Sequence, residues 1–174
     1  HVAGGGKMVD FGGWELPVEY TGIIPEHEAV RNTAGLFDVS HMGEIWADGK
    51  GAFAFLQNLV TNDLAVRQAG QIRYSPMCYK DGGTVDDLLV YKYDEELYLI
   101  VVNAANIEKD WNWMQENAVG FEVVLTNKSD ETAQLALQGP AAVAILSKLT
   151  DAPLSEIQYY HFLSGVMIAG KETL

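Results

Sequence analysis

The chain has a single cysteine, Cys78, in 174 residues. No internal disulfide is therefore possible, and the expected surroundings are reducing or at least undemanding. No apolar run approaches the roughly 18 residues that a membrane helix requires. The first residues also lack the charged-then-apolar layout of a secretory leader. Basic side chains are scarce: 11 Lys and Arg stand against 24 Asp and Glu, a net charge of −13. A surface that negative repels phosphate backbones and anionic lipid, so no nucleic acid and no membrane is expected as a partner. His27 and His161 have no companion at metal-ligand spacing, and one cysteine offers no zinc site, so no metal is expected. Phosphate loops are missing too. Gly4, Gly5 and Gly6 are not followed by Lys-Ser/Thr, and no Gly-x-Gly-x-x-Gly follows a strand.

What remains is an ordinary globular composition, 48% hydrophobic and 20% charged, long enough to bury a core. Gly4 to Gly6 read as a flexible lead-in. Residues 25–34 read as a short helix, with Pro25 in the first turn and Glu26 and Glu28 at its positive end. Residues 37–39 and 44–47 read as strands around a polar loop at Ser40 and His41. A helix over 52–60 is predicted from Phe53, Leu56 and Val60 on one face. Strands follow at 72–79, 85–93 and 97–102, the first two joined by the turn Lys80-Asp81-Gly82-Gly83. A helix over 106–117 carries Trp111 and Trp113, one expected in the core and one outside it. A strand over 121–126 completes the order β-α-β-β-β-α-β, close to a ferredoxin-like split with one additional strand. The pattern then restarts with a strand at 133–138, a helix at 141–149 and a strand at 166–169. The fold class is α+β, with mostly antiparallel sheet.

The segment Gly82-Gly83-Thr84-Val85-Asp86-Asp87-Leu88-Leu89-Val90-Tyr91 is the most informative. Alternation along a strand puts Asp86 with Leu88 and Val90, and Asp87 with Leu89 and Tyr91. A carboxylate beside an apolar pocket with a hydrogen-bonding neighbour can act as a base or orient an amine. The plainer reading is that both acids satisfy backbone groups of the turn after Gly83. Asp38-Val39-Ser40-His41 contains the residue types of a catalytic triad, but triads assemble in space rather than in four consecutive positions. His41 is expected to bond backbone in its loop.

Several blocks, read in order, resemble one family. They are Met8-Val9-Asp10-Phe11-Gly12-Gly13-Trp14-Glu15-Leu16-Pro17, Gly35-Leu36-Phe37-Asp38-Val39-Ser40-His41-Met42-Gly43-Glu44 and Thr61-Asn62-Asp63. Further along come Tyr74-Ser75-Pro76-Met77, the acid-pair segment, Val102-Asn103-Ala104-Ala105-Asn106 and Leu137-Gln138-Gly139-Pro140. Together they resemble the T-protein aminomethyltransferases of the glycine cleavage system. Sarcosine and dimethylglycine dehydrogenases carry a related region, but the Phe-Asp-Val-Ser-His-Met block is more similar to the free-standing T-protein. A non-catalytic folate-binding relative, of the kind of the iron–sulfur-cluster assembly proteins sharing this fold, is one alternative, although those lack the Gly-Gly-x-x-Asp-Asp block. A module that only binds other proteins is the remaining alternative.

The resemblance implies an enzyme that uses tetrahydrofolate as co-substrate and the lipoyl-carrying H-protein as partner. It implies that Asp87 is the catalytic carboxylate beside the reacting folate nitrogen, with Asp86 structural, supporting the turn. Tyr74, Leu89, Tyr91 and Asn103 match pterin-site positions, Tyr159 matches another folate contact, and Met42 packs on the ligand. Leu89 with the rings of Tyr74 and Tyr91 would form an apolar slot, and Asn103 would bond the pterin edge. It also implies two interleaved domains: residues 1–43 with 129–174 as a first folate-binding domain, and 44–128 as an inserted ferredoxin-like one. Members of that family are longer, so a third, barrel-like domain and a second set of folate contacts are expected to lie outside this chain. The location implied is cytoplasm for a bacterial protein and mitochondrial matrix for a eukaryotic one.

Overall fold

The computed structural model describes residues 1–174, which divide into two compact units. The first comprises His1–His41, Gln134–Glu156 and Val166–Thr173; the second comprises Met42–Ala133 and Ile157–Gly165, with Leu174.

The second unit is built on five strands: β4 (Gly43–Asp48), β5 (Gln71–Cys78), β6 (Thr84–Lys92), β7 (Leu97–Val102) and β8 (Val124–Asn127). Helices α2 (Ala52–Leu59) and α3 (Ile107–Asn117) complete it. The order across the sheet is β5-β6-β7-β4-β8, with antiparallel neighbours throughout. Without β5, the order β8-β4-β7-β6 is the ferredoxin-like arrangement, and β5 is the additional strand at its edge. One face is dry. Ile45, Ala47, Leu88, Val90, Ile100 and Val102 from the strands are all buried, in one cluster with Phe55, Leu56 and Met114 from the helices.

The α2 stripe differs in phase from the expected one. Ala52, Phe55, Leu56 and Leu59 are buried, while Phe53 packs at the rim. That set follows the i, i+3, i+4, i+7 spacing of a helix face. Trp111 and Trp113 also depart from expectation, since both are half-buried and both pack against the core cluster. Long amphipathic rings cover a core edge from neighbouring helix positions, so they need not divide between inside and outside.

Residues 157–165, expected with the first domain, join the second unit through the exposed edge of β5. The Ile72 N–H donates to the Tyr160 carbonyl at 2.8 Å, and the Phe162 N–H donates to the Gly70 carbonyl at 2.9 Å. An edge strand offers unpaired backbone groups, and this segment satisfies some of them.

The first unit has three two-stranded sheets. They are the hairpin β1 (Lys7–Phe11) with β2 (Trp14–Glu19), the pair β3 (Gly35–Asp38) with β9 (Leu135–Gln138), and the hairpin β10 (Val166–Ile168) with β11 (Lys171–Thr173). Helices α1 (Ile23–Asn32) and α4 (Ala142–Leu146) accompany them. The β1–β2 hairpin was not expected from the sequence. Its turn is Gly12-Gly13, with φ of 62° and 90°, the positive values that a two-residue hairpin loop demands. Nor are Gly4 to Gly6 a loose lead-in. The Gly4 N–H donates to the His1 carbonyl at 3.0 Å and closes a 3₁₀ turn, and the Gly6 N–H donates to the same carbonyl at 3.0 Å.

Glycine is required at 139, where the chain leaves β9. Its φ is +117°, and an added Cβ would lie 2.6 Å from the carbonyl oxygens of both Thr33 and Val30. Gly139→Ala is expected to destabilise the protein by about 2 kcal/mol or more, read by urea unfolding. A change under about 0.5 kcal/mol would show that the close approach is not rigid.

Candidate functional site

The acid pair on β6 obeys strand alternation. Asp86 turns to the helix-covered side with Leu88 and Val90 and is 7% exposed. Asp87 is exposed, on the side of Leu89 and Tyr91. Neither carboxyl serves the preceding turn. The Gly83 N–H donates to Asp81 Oδ1 at 3.0 Å, and the Tyr79 N–H to the Gly83 carbonyl at 2.7 Å. The plain turn-capping reading therefore fails, and so does the expected role of Asp86 as turn support. Asp81, one step earlier, already fills that place. Asp86 faces Asn103 instead.

Directly opposed residues in an antiparallel sheet share a face. One row across this sheet reads Tyr74, Leu89, Val101, Glu44; the next reads Ile72, Tyr91, Leu99, Trp46. Tyr74 and Leu89 are thus direct neighbours, with Tyr91 two residues along. The Asp87 carboxylate beside it raises the Tyr74 phenol above its usual range, by favouring the protonated hydroxyl and by its charge. Burial pushes the Tyr91 phenol up as well, and its ring meets Phe162 edge-on at 5.3 Å between centroids.

Asn103 stands just past the end of β7, before a 3₁₀ turn (Ala104–Asn106) leads into α3. The β6–β7 ladder ends at Leu89–Val101. Beyond it, the Asn103 side chain takes over the cross-strand bonding. Its Nδ2 lies 3.0 Å from the Asp87 carbonyl, 3.2 Å from Asp87 Oδ1 and 3.0 Å from Asp86 Oδ1. Only the NH₂ end of the amide can face three acceptors, so its orientation follows from chemistry.

Met42 immediately precedes Gly43, the partner of Val102, which puts it at the same end of the sheet as Asn103. Tyr159 stands apart. It is 88% exposed, and its ring leans on Tyr160 at 4.6 Å. The charge that Tyr160 would carry on ionising is close enough to contribute to the rise of Tyr74, so of the two consecutive tyrosines Tyr160 is the one tied to that ring. His41 does not bond backbone through Nδ1, which is buried without a partner; the ring instead lies against Phe11 and Trp14. A cleft of about 780 Å³ in the first unit is lined by Phe11, Leu36 and His41 among others, and none of the residues singled out on β6 borders it.

Glu44 escaped sequence reasoning. It is 2% exposed, and neither carboxyl oxygen has a hydrogen-bond partner. Burial pushes its pKa up to about 7. Alternation along β4 carried the signal: with Ile45 and Ala47 in the core, Glu44 must share the face of Leu89.

A carboxyl whose pKa rises on folding contributes stability that is complete below about 4.5 and is lost as pH climbs through about 7. Glu44→Gln removes that loss. Its melting temperature relative to the parent is expected to rise by several degrees between pH 4.5 and pH 8, at about 2–4 °C per kcal/mol for this chain length. A gap that stays constant with pH would mean that Glu44 does not titrate in this range.

Comparison with known proteins fits this geometry. A family model described as the GCVT N-terminal domain matches residues 1–173. An aminomethyltransferase of Thermoanaerobacter sp. (strain X514) is 60% identical over 169 residues, covering 97% of this chain and 46% of that protein. The aminomethyltransferase of Chloroherpeton thalassium is 56% identical over 174 residues, covering 100% of this chain and 48% of the relative. The chain thus spans about half the length of the curated relatives it matches. The crystal structure of glycine cleavage system aminomethyltransferase T from Bartonella henselae superposes with a TM-score of 0.87 at 36% identity, covering 92% of this chain and 44% of that one. The chain belongs to the GCVT N-terminal domain family, the family of the aminomethyltransferases.

Proposed function

We propose that this chain carries the folate-facing surface of a tetrahydrofolate-dependent aminomethyltransferase of glycine cleavage. The observation that carries the reading is the placement of Asp87, Tyr74, Leu89 and Tyr91 on one face of the β5-β6 pair, with the Asn103 amide closing on its Asp87 end. An exposed carboxylate with one phenol beside it, on a face that also carries an aliphatic side chain and a second aromatic ring, suits a flat heterocycle with N–H donors.

In this reading the aminomethyl group arrives on the sulfur of the lipoyl arm of the H-protein. Two bonds form between its carbon and the two reacting folate nitrogens. The carbon–sulfur and carbon–amine bonds break, and the two N–H protons leave with the thiol and with ammonia. Asp87 accepts a hydrogen bond from the reacting folate amine, orients it and favours the charge that develops on it. The Asn103 amide holds the Asp87 side chain, and the Tyr74 phenol lies beside it. Leu89 and Tyr91 present the apolar surface against which the pterin lies. Met42 and Tyr159 are assigned to the ligand's periphery. The relatives quoted above are bacterial, which favours the bacterial cytoplasm as the setting.

The test uses the full-length polypeptide that carries this sequence. Asp87→Asn is expected to lower turnover by about 100-fold or more, with a melting temperature within a few degrees of the parent. Normal turnover in that variant, with lipoyl-bound H-protein and tetrahydrofolate supplied, would sink the assignment.

A further inference from the structure

Behind Asp87, on the other face of β6, lies a pair of carboxyls that the proposed chemistry does not use. Asp110, in the first turn of α3, is 0% exposed, and Asp86 is 7% exposed. Counted as ionised acceptors, both Asp110 oxygens and Asp86 Oδ2 lack a hydrogen-bond donor. Two such anions side by side in the core repel each other and leave three acceptors unsatisfied. One proton held between them turns one carboxyl into a donor, removes the repulsion and satisfies two of the three oxygens.

The surroundings decide which acid keeps the proton. Burial alone would raise Asp86, but the donors turned toward it, first the Asp110 carboxyl and then the Asn103 amide at 3.0 Å, outweigh it and hold Asp86 below the usual carboxylate range. Asp110 has fewer allies. Burial, then Asp86 itself, push it up to about 8. The one cation facing it is Lys109, with Nζ 3.5 Å from Asp110 Oδ1. That ammonium is shared with the Val85 carbonyl and its side chain is 40% exposed, which limits its pull. Asp110 is therefore the protonated partner and Asp86 the anion.

We propose that Asp110 is a positioning residue for the folate face: its carboxylic O–H donates to Asp86, and this fixes the acceptor that holds the Asn103 amide against Asp87. The inference rests on the reading of Asp87 as the folate carboxylate. Its force comes from counting donors. The Asn103 Nδ2 has two hydrogens and three acceptors around it, Asp86 Oδ1, the Asp87 carbonyl and Asp87 Oδ1. Where that amide settles depends on where Asp86 is held, and the Asp87 rotamer depends on the amide. When Asp110 ionises, the like charges separate, Asp86 shifts and the chain of bonds loosens from the core outward. The titratable and charged groups facing Asp110 are Asp86 from β6 and Lys109 from its own helix, with the Asn103 amide as the neutral donor to Asp86.

The test again uses the full-length polypeptide carrying this sequence. Tetrahydrofolate affinity is measured by calorimetry from pH 6 to 9.5 for the parent, Asp110→Asn and Asp110→Leu. The Asn103 side-chain amide resonances are followed by NMR in the ligand-free proteins. Asp110→Asn retains an N–H donor toward Asp86 that cannot ionise, whereas Asp110→Leu has none. Parent affinity is expected to fall as pH rises through about 8. Asp110→Asn is expected to hold its affinity within about twofold over the same range, and Asp110→Leu to bind about tenfold more weakly even at pH 6. The Asn103 amide should shift through the same pH in the parent and stay fixed in Asp110→Asn. Superimposable pH profiles for parent and Asp110→Asn, or an Asn103 amide indifferent to both, would overturn the proposal, and Asp110→Asn keeps it testable should Asp110→Leu not fold. If the parent binds no tetrahydrofolate while the Asn103 amide still titrates with Asp110, the folate reading fails and the positioning of Asp87 stands.

Discussion

The arrangement of the second unit depends on one constraint, the two-residue period of β6. Two consecutive aspartates cannot face the same way on a strand. Asp86 is therefore driven into the core, where it must find donors, and Asp87 is left on the open face, where it is free to meet a ligand. Asn103 connects the two environments. It stands where the β6–β7 ladder ends, and one amide group reaches both carboxyls. A buried acid and an exposed acid, tied through a shared donor, give the exposed one a defined position that a surface side chain alone would lack.

The same period explains why the site is flat rather than hollow. Tyr74, Leu89 and Val101 are direct cross-strand neighbours, so their side chains form a continuous row rather than the walls of a cavity. The cleft of about 780 Å³ lies in the first unit, and its lining is largely apolar, with Phe11, Leu16, Ile23 and Leu36 among its residues. A cleft of that volume suits a small ligand. The convergence of carboxylate, phenol and amide directs attention to the sheet.

Much of this was legible in the sequence because it depends on local periodicity. The strand and helix order of residues 44–126, the opposite facing of Asp86 and Asp87, and the grouping of Leu89 with Tyr91 follow from counting by two and by 3.6. What depended on turn chemistry or on long-range partners was harder to see. The Gly12-Gly13 turn lies between two segments, Lys7–Phe11 and Trp14–Glu19, that show no clean apolar alternation, because both strands are largely exposed. The short α4 was expected to reach residue 149, but its helix ends at Leu146. Asp81, not the acid pair, closes the Gly82-Gly83 turn, and a string of three nearby aspartates does not announce which of them will do so. Asp110 was invisible for a different reason: on a helix its charge reads as a solvated face, and only the fold brings it behind Asp86.

The central claim is that the Asp87 face is where folate binds. It is tested most directly by mapping backbone and side-chain NMR shifts on addition of tetrahydrofolate to the full-length polypeptide carrying this sequence. The account predicts that within these 174 residues the perturbations centre on Tyr74, Asp87, Leu89, Tyr91 and the Asn103 amide. Perturbations confined to the cleft around Phe11, Leu36 and His41, with the β6 face unmoved, would contradict it.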